Sequence, residues 1–209
     1  MRERFKFRNA GFSLVELIIV IAIMAILAAA IAPALIRYIS KSRKADDMAA
    51  GDSIGTTLGA NYAENEEVYR YISQRAADLQ SGGNANGYAI LCVMKAGDST
   101  NGFTLVQSGD TTLDNDAAPI AKKLVKELMG DTYYKMRFTD PTYLNQWILA
   151  VDAKENLAVF VCGGGAGVSE ITDGHMLSGG SNSRAFKVWP SVDTEYNAMN
   201  TAPNSYITN

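Results

Sequence analysis

GFSLVELIIVIAIMAILAAAIAP, residues 11–33, decides how the rest of the chain is read. From Leu14 to Ala32 one polar side chain interrupts the run, the carboxylate of Glu16. Across residues 12–36 only Ser13, Glu16 and Pro33 fall outside the aliphatic and aromatic set. A helix of about 25 residues rises roughly 37 Å, enough to cross a bilayer core of about 30 Å. The run is apolar on every side, so no stripe faces a core and the helix belongs in lipid or among helices like itself. Arg2, Arg4, Lys6 and Arg8 precede it, offset by Glu3 alone. That charge predicts a cytoplasmic N-terminus with the remainder exported.

Three kinds of segment begin this way: a removable secretory signal, a plain membrane anchor, and a leader whose apolar helix is retained. A secretory signal has an apolar region of about 7–15 residues ending in a small-residue cleavage site. Ala28-Ala29-Ala30 and Ala30-Ile31-Ala32 offer such sites. Against it stand the length of the run, the proline directly after the second site, and Glu16 near the start. A plain anchor explains the length and leaves Glu16 unexplained. A carboxylate costs on the order of 2.5–3.5 kcal/mol at the bilayer centre, somewhat less near an end, and such a residue is functional by default and has a partner.

Gly11-Phe12-Ser13-Leu14-Val15-Glu16 resembles the class III leader of type IV prepilins, a short basic peptide cut between Gly and Phe. The resemblance implies that a prepilin peptidase cleaves at Gly11–Phe12 on the cytoplasmic side and N-methylates Phe12. The apolar helix would then be kept. Glu16, four residues after the new amine, would share a helix face with it. A carboxylate inside a packed bundle is costly when unpaired, and the Phe12 amine of a staggered neighbour would neutralise it. Pro33 falls where many pilins carry a helix-bending proline, and its ring locally breaks the backbone ladder. The match covers residues up to about 35; beyond that the likeness is one of layout.

The composition, 47% apolar, 20% charged and 9% aromatic over 209 residues, describes one modest soluble domain behind the N-terminal helix. About 145 residues follow the helix, ample for one hydrophobic core. Formal net charge is −3, and removing the net +3 of the leader leaves about −6. That balance argues against a nucleic-acid-binding surface. Cys92 and Cys162 allow one disulfide at most, which the exported context permits and which would stabilise by roughly 4 kcal/mol. The alternative is two buried thiols in separate strands. With no C-x-x-C pair and one histidine, a zinc or cysteine site has little to build on.

Residues 35–62 are expected to continue the first helix, with Arg37, Lys41, Arg43 and Lys44, then Asp46 and Asp47, marking its solvated beginning. The apolar stripe is weak there and returns as Ile54, Leu58 and Tyr62. Gly51, Gly55 and Gly59 recur beside it every fourth residue, either as a bare strip for close approach or as a sign that the helix ends near Gly51. Val68, Tyr69, Ile72, Ala76 and Leu79 predict a second helix over 64–79, broken by Ser81-Gly82-Gly83-Asn84. Strands are predicted at 88–95, 103–107, 132–138, 146–151, 157–162 and 185–189, and a further helix at 119–129. The imperfect alternation of these strands fits a sheet covered on at least one face.

Other candidates for chemistry are weaker. Gly163-Gly164-Gly165-Ala166-Gly167 lacks the lysine and hydroxyl residue of a phosphate loop. Asp110, Asp114, Asn115 and Asp116 carry oxygens suited to Ca²⁺ but not the spacing of an EF-hand. His175 with Ser178 or Ser181 lacks a nucleophile elbow. Tyr133, Tyr134, Tyr143, Trp147 and Trp189 read as core or a binding surface, core first for those in strands.

The expected architecture is α+β: a leader at 1–11, a long helix at 12–62 whose 12–36 half lies in the membrane or filament core, and a mostly antiparallel head at 63–209. The expected role is a non-enzymatic filament subunit without cofactor or metal. By resemblance it is stored as a single-pass prepilin with the head outside, then polymerised by an ATPase-driven assembly platform into an extracellular pilus for adhesion or motility. A pseudopilin of a type II secretion or DNA-uptake machine shares the same N-terminal logic, and the size of the head leans toward a pilin.

Overall fold

The computed structural model describes residues 12–95, 104–108, 144, 146–163, 170–173, 177 and 184–199. The chain divides into two compact units, one ending at Ile39 and the other beginning at Ser40. The predicted helix at 119–129 and strand at 132–138 lie outside the described residues.

Helix α1 runs from Leu14 to Glu64 without interruption, through Pro33 and through all three glycines. The glycines therefore do not end it. Within the second unit its buried positions are Lys44, Asp47, Gly51, Ile54 and Leu58, a seam at alternating three- and four-residue steps, with Gly55 beside it. Two of the three glycines serve close approach. A Cβ at Gly51 would lie 2.8 Å from Val188 Cγ2, and one at Gly55 would collide with the Trp189 ring. Gly59 faces open space.

Asn65 ends the first helix and caps the second, α2 (Glu66–Ser81), its Oδ1 accepting from Glu67 N at 3.1 Å and Val68 N at 3.4 Å. Val68, Tyr71, Ile72, Arg75, Ala76 and Leu79 form its buried face. Tyr71, not the expected Tyr69, faces inward and donates to Leu91 O at 2.8 Å, while Tyr69 is exposed and stacks on Tyr62. Gly83, at φ 83°, takes the left-handed turn that leads out of α2.

The sheet contains β1 (Tyr88–Lys95), β2 (Thr104–Ser108), β3 (Gln146–Asp152), β4 (Leu157–Cys162), β5 (Glu170–Ile171) and β6 (Phe186–Trp189). Its order is β2-β1-β3-β4-β6, with β5 also on β1, and every pairing is antiparallel. One face carries Leu91, Met94, Trp147, Leu149, Val151, Val159, Val161, Phe186 and Val188 and packs in one core with Ile54 and Leu58 of α1 and the buried face of α2. The other face carries Ile90, Val93, Ile148, Ala150, Ala158 and Phe160, which cluster with Ile171, Leu177 and Ala185. Both faces are covered, which is why the strands read as nearly continuous apolar runs. At the β6 edge, Lys187 N donates to Asp193 Oδ2 at 2.6 Å and Lys187 O accepts from Asp193 N at 2.9 Å, so a side chain and a turn occupy the edge. The short helix α3 (Thr194–Ala198) follows and buries Tyr196.

The disulfide allowed by the sequence is not formed: Cys92 and Cys162 are both buried thiols that are not bonded to each other. β3 lies between their strands, and the backbones of second-neighbour strands are roughly 10 Å apart, beyond the reach of an S–S bond. A register shift between Ile90 and Cys92 also turns Cys92 to the α-helical face, while Cys162 points to the other.

Candidate assembly site

The site begins with Phe12 and Ser13, which precede the first helical turn, and the residues of α1 that follow. Ser13 is the residue before the helix and Glu16 its third position. Ser13 N donates to Glu16 Oε2 at 2.9 Å, and Ser13 Oγ accepts from Val15 N at 3.3 Å. This is the reciprocal S-x-x-E capping arrangement, in which side chains satisfy amides that the helix cannot. The carboxylate also complements the positive end of the helix dipole. Of roughly four acceptor positions on that carboxylate, the cap takes one. An ammonium arriving from outside the chain has acceptor positions left to bind.

Below this cap the helix is exposed as far as Ile39. Phe12 is 89% exposed, Leu14 73% and Ile26 70%, and every residue from 12 to 39 is exposed. A soluble protein seldom shows an apolar patch of more than a few hundred Å², so a sleeve of this kind marks a surface used elsewhere, in lipid or against other helices. Length and composition suffice for crossing a membrane. Gly11, the other expected cleavage residue, lies outside the described residues; Phe12, Glu16 and Pro33 lie within them.

A second polar group, which sequence reasoning placed in solvent, is buried in the head. Lys44 is 5% exposed and Asp47 fully buried. Lys44 Nζ donates to Asn197 O and Met199 O, each at 2.5 Å, and Tyr196 Oη donates to Asp47 Oδ2 at 3.3 Å. The ammonium thus satisfies carbonyls at the end of α3, where a helix has acceptors without partners. Burial, followed by the nearby charge of Lys41, holds the Lys44 pKa below its ordinary value. Burial and then the Asp47 carboxylate push the Tyr196 phenol up. These groups fasten the start of the head to its C-terminal helix.

Among the described residues the remaining candidates give no second centre. Burial pushes the Cys92 thiol up to about 12, which makes it an inert core residue. Cys162 Sγ lies 3.9 Å from Gln146 Oε1 as a weak donor. Trp147 is core, and Trp189 is half-buried over Gly55. Asp110, Asp114, Asn115, Asp116, Tyr133, Tyr134, Tyr143, Gly164–Gly167, His175, Ser178 and Ser181 lie outside the described residues.

Comparison with known proteins agrees with the N-terminal geometry. Residues 6–32 match the prokaryotic N-terminal methylation motif, the class III leader of type IV pilins. No curated protein and no solved structure matches the chain.

Proposed function

We propose that this chain, which carries the prepilin methylation leader, is a structural subunit of a type IV pilus. The precursor is held in the membrane by residues 12–36, a prepilin peptidase cuts between Gly11 and Phe12, and Phe12 is N-methylated. Subunits then polymerise by exchanging lipid for neighbouring apolar helices, moved by an assembly platform and its cytoplasmic ATPase. The head forms the surface of an extracellular fibre used in adhesion or motility.

The observation that carries this reading is the pairing of two features in one segment. A helix exposed along its whole apolar length needs a partner, and the motif at its start is the one that retains such a helix after cleavage. Glu16 supplies register. Its carboxylate is satisfied locally by one backbone amide, and a Phe12 ammonium from an adjacent subunit is a stronger, charge-assisted partner. An incoming subunit then gains most when stepped so that its N-terminus meets this position.

The deciding experiment is mass measurement of the mature N-terminal peptide together with imaging of the producing cells. A first residue of N-methylated Phe12 and long fibres containing the chain are expected. Fibres absent with the same N-terminus would move the chain to the pseudopilins of a secretion or DNA-uptake machine. A mature N-terminus at Pro33 or Ala34 would overturn the reading altogether.

A further inference from the structure

Ser13 is the second residue after the expected scissile bond and stands immediately before the first residue of α1. The helical ladder starts on it, Leu17 N donating to Ser13 O at 3.2 Å. We propose that Ser13 is a positioning residue for leader cleavage, its cap keeping the Gly11–Phe12 bond outside the helix so that the peptidase meets an extended chain. The inference rests on the prepilin reading above.

The chemistry sets the requirement. Hydrolysis adds water across the Gly11–Phe12 peptide bond, leaving a carboxylate on Gly11 and an amine on Phe12. It needs access to the carbonyl carbon and hydrogen-bond donors aimed at its oxygen. In an α-helix that oxygen already accepts the amide four residues ahead, and the neighbouring turns cover the carbon. A helix run back through the bond would give Val15 N to the Gly11 carbonyl and Ser13 N to the Asn9 carbonyl.

In the structure both donors are taken by side chains. Val15 N donates to Ser13 Oγ at 3.3 Å, and Ser13 N donates to Glu16 Oε2 at 2.9 Å. The hydroxyl of Ser13 thus occupies the very amide that a helical scissile carbonyl would use. Phe12, on the far side of the bond, lies outside the helix and is exposed.

The sequence also supplies a rival start. Asn9 is among the residue types that cap best, and a helix capped there would begin at Ala10 and enclose both Gly11 and Phe12. Gly11 is a poor helix former, and Lys6 and Arg8 are unfavourable beside a positive helix end, so both resist that start. Each of these effects is of the same order as one N-cap. Removing the cap at Ser13 therefore shifts the balance several-fold toward the longer helix.

The test uses the full-length uncut chain in micelles with a purified prepilin peptidase, following release of residues 1–11 by mass. Ser13→Ala should raise KM about two- to fivefold with kcat unchanged, because the cap sets the fraction of chains presented extended and not the chemical step. Helical carbon chemical shifts in uncut Ser13→Ala should reach back to residues 10–12. Ser13→Asn, which caps without a hydroxyl, should match the parent in both measurements. Asn9→Ala should leave the parent kinetics unchanged and restore KM in the Ser13→Ala chain. Parent-like KM in Ser13→Ala would overturn the proposal. So would a Ser13→Asn chain as impaired as Ser13→Ala, since the peptidase would then be reading the hydroxyl itself. A loss in kcat alone would overturn it too, by placing Ser13 against the reacting groups. The prepilin reading fails separately: a parent chain left uncut by a peptidase that cuts another prepilin would sink that reading and this inference with it, whereas a parent cut at Gly11–Phe12 sustains the reading whatever Ser13 does.

Discussion

Gly55 of α1 lies directly under the indole of Trp189 at the end of β6, with no room between them for a methyl group. Gly51, one turn earlier, meets Val188 in the same way. A helix gives up to about 1 kcal/mol for each glycine relative to alanine, so two are retained here because the sheet comes that close. Gly55→Ala should therefore destabilise the head by about 1–3 kcal/mol through overpacking against an aromatic ring. Gly59→Ala, where a Cβ meets nothing, should stabilise it by about 0.5–1 kcal/mol. Denaturant titration of the two variants side by side checks both. A neutral Gly55→Ala would mean that Trp189 moves aside freely.

The polar fastening between α1 and α3 makes a second prediction. Lys44→Met preserves most of the stem but leaves the carbonyls of Asn197 and Met199 without their ammonium donor. A buried acceptor stripped of its partner costs about 1–3 kcal/mol. Tyr196→Phe removes only the hydroxyl that donates to Asp47 and should cost about 1 kcal/mol. Amide exchange should locate the loosening in residues 194–199 for both variants. Protection unchanged in α3 would show that apolar packing of Tyr196 alone holds it.

The cysteines allow a chemical check. Alkylation of the native chain should label neither thiol, and alkylation after unfolding without reductant should label both, since they are buried and not disulfide-bonded. The pH dependence follows from Cys92. Its folded pKa is raised to about 12 against 9.0 in an open chain. Below pH 9 the thiol is protonated in both states and its contribution to stability is fully present. Between about pH 9 and pH 12 the unfolded chain loses the proton first, so stability falls as pH rises. The steepest loss is about tenfold in the unfolding equilibrium per pH unit, and Cys92→Ala should flatten that part of the profile. Tyr196 acts in the same direction above pH 10, so some slope should survive the substitution.

Much of this architecture could be read from residues alone, and the misses share a cause. β1 and β4 begin and end where their apolar runs do, because turn residues punctuate them on both sides. The apolar sleeve at 12–36 is legible because it needs no tertiary partner to define it. The seam of α1 was lost at its start because two of its positions, Lys44 and Asp47, are charged. Their burial is made tolerable by carbonyls and a phenol some 150 residues away, which no local pattern reports. The cysteines needed a register shift to be placed, since one irregular residue in β1 sends Cys92 to the face opposite Cys162. Tyr69 and Tyr71 sit two apart on a helix with apolar neighbours on both sides, so periodicity alone did not choose between them. At the candidate site, Ser13 and Glu16 have the spacing of a capping box, so Glu16 has a local backbone partner in addition to the one that burial in a membrane or bundle demands.

That cap separates two roles of Glu16 that a single substitution would confuse. Glu16→Ala removes both the acceptor for Ser13 N and the negative charge. Glu16→Gln keeps an acceptor at the third helical position, a residue type the capping box tolerates, and removes only the charge. In micelles the first turn should remain helical in Glu16→Gln and fray in Glu16→Ala, by roughly 0.5–2 kcal/mol as read from amide exchange at residues 14–17. Processing should continue in both, whereas replacement of Gly11 should block it. If the carboxylate pairs with an incoming ammonium, Glu16→Gln should assemble as poorly as Glu16→Ala despite its intact helix start. Fibres formed normally by Glu16→Gln and lost in Glu16→Ala would instead assign the requirement to the cap, and the register would have to come from the apolar side chains.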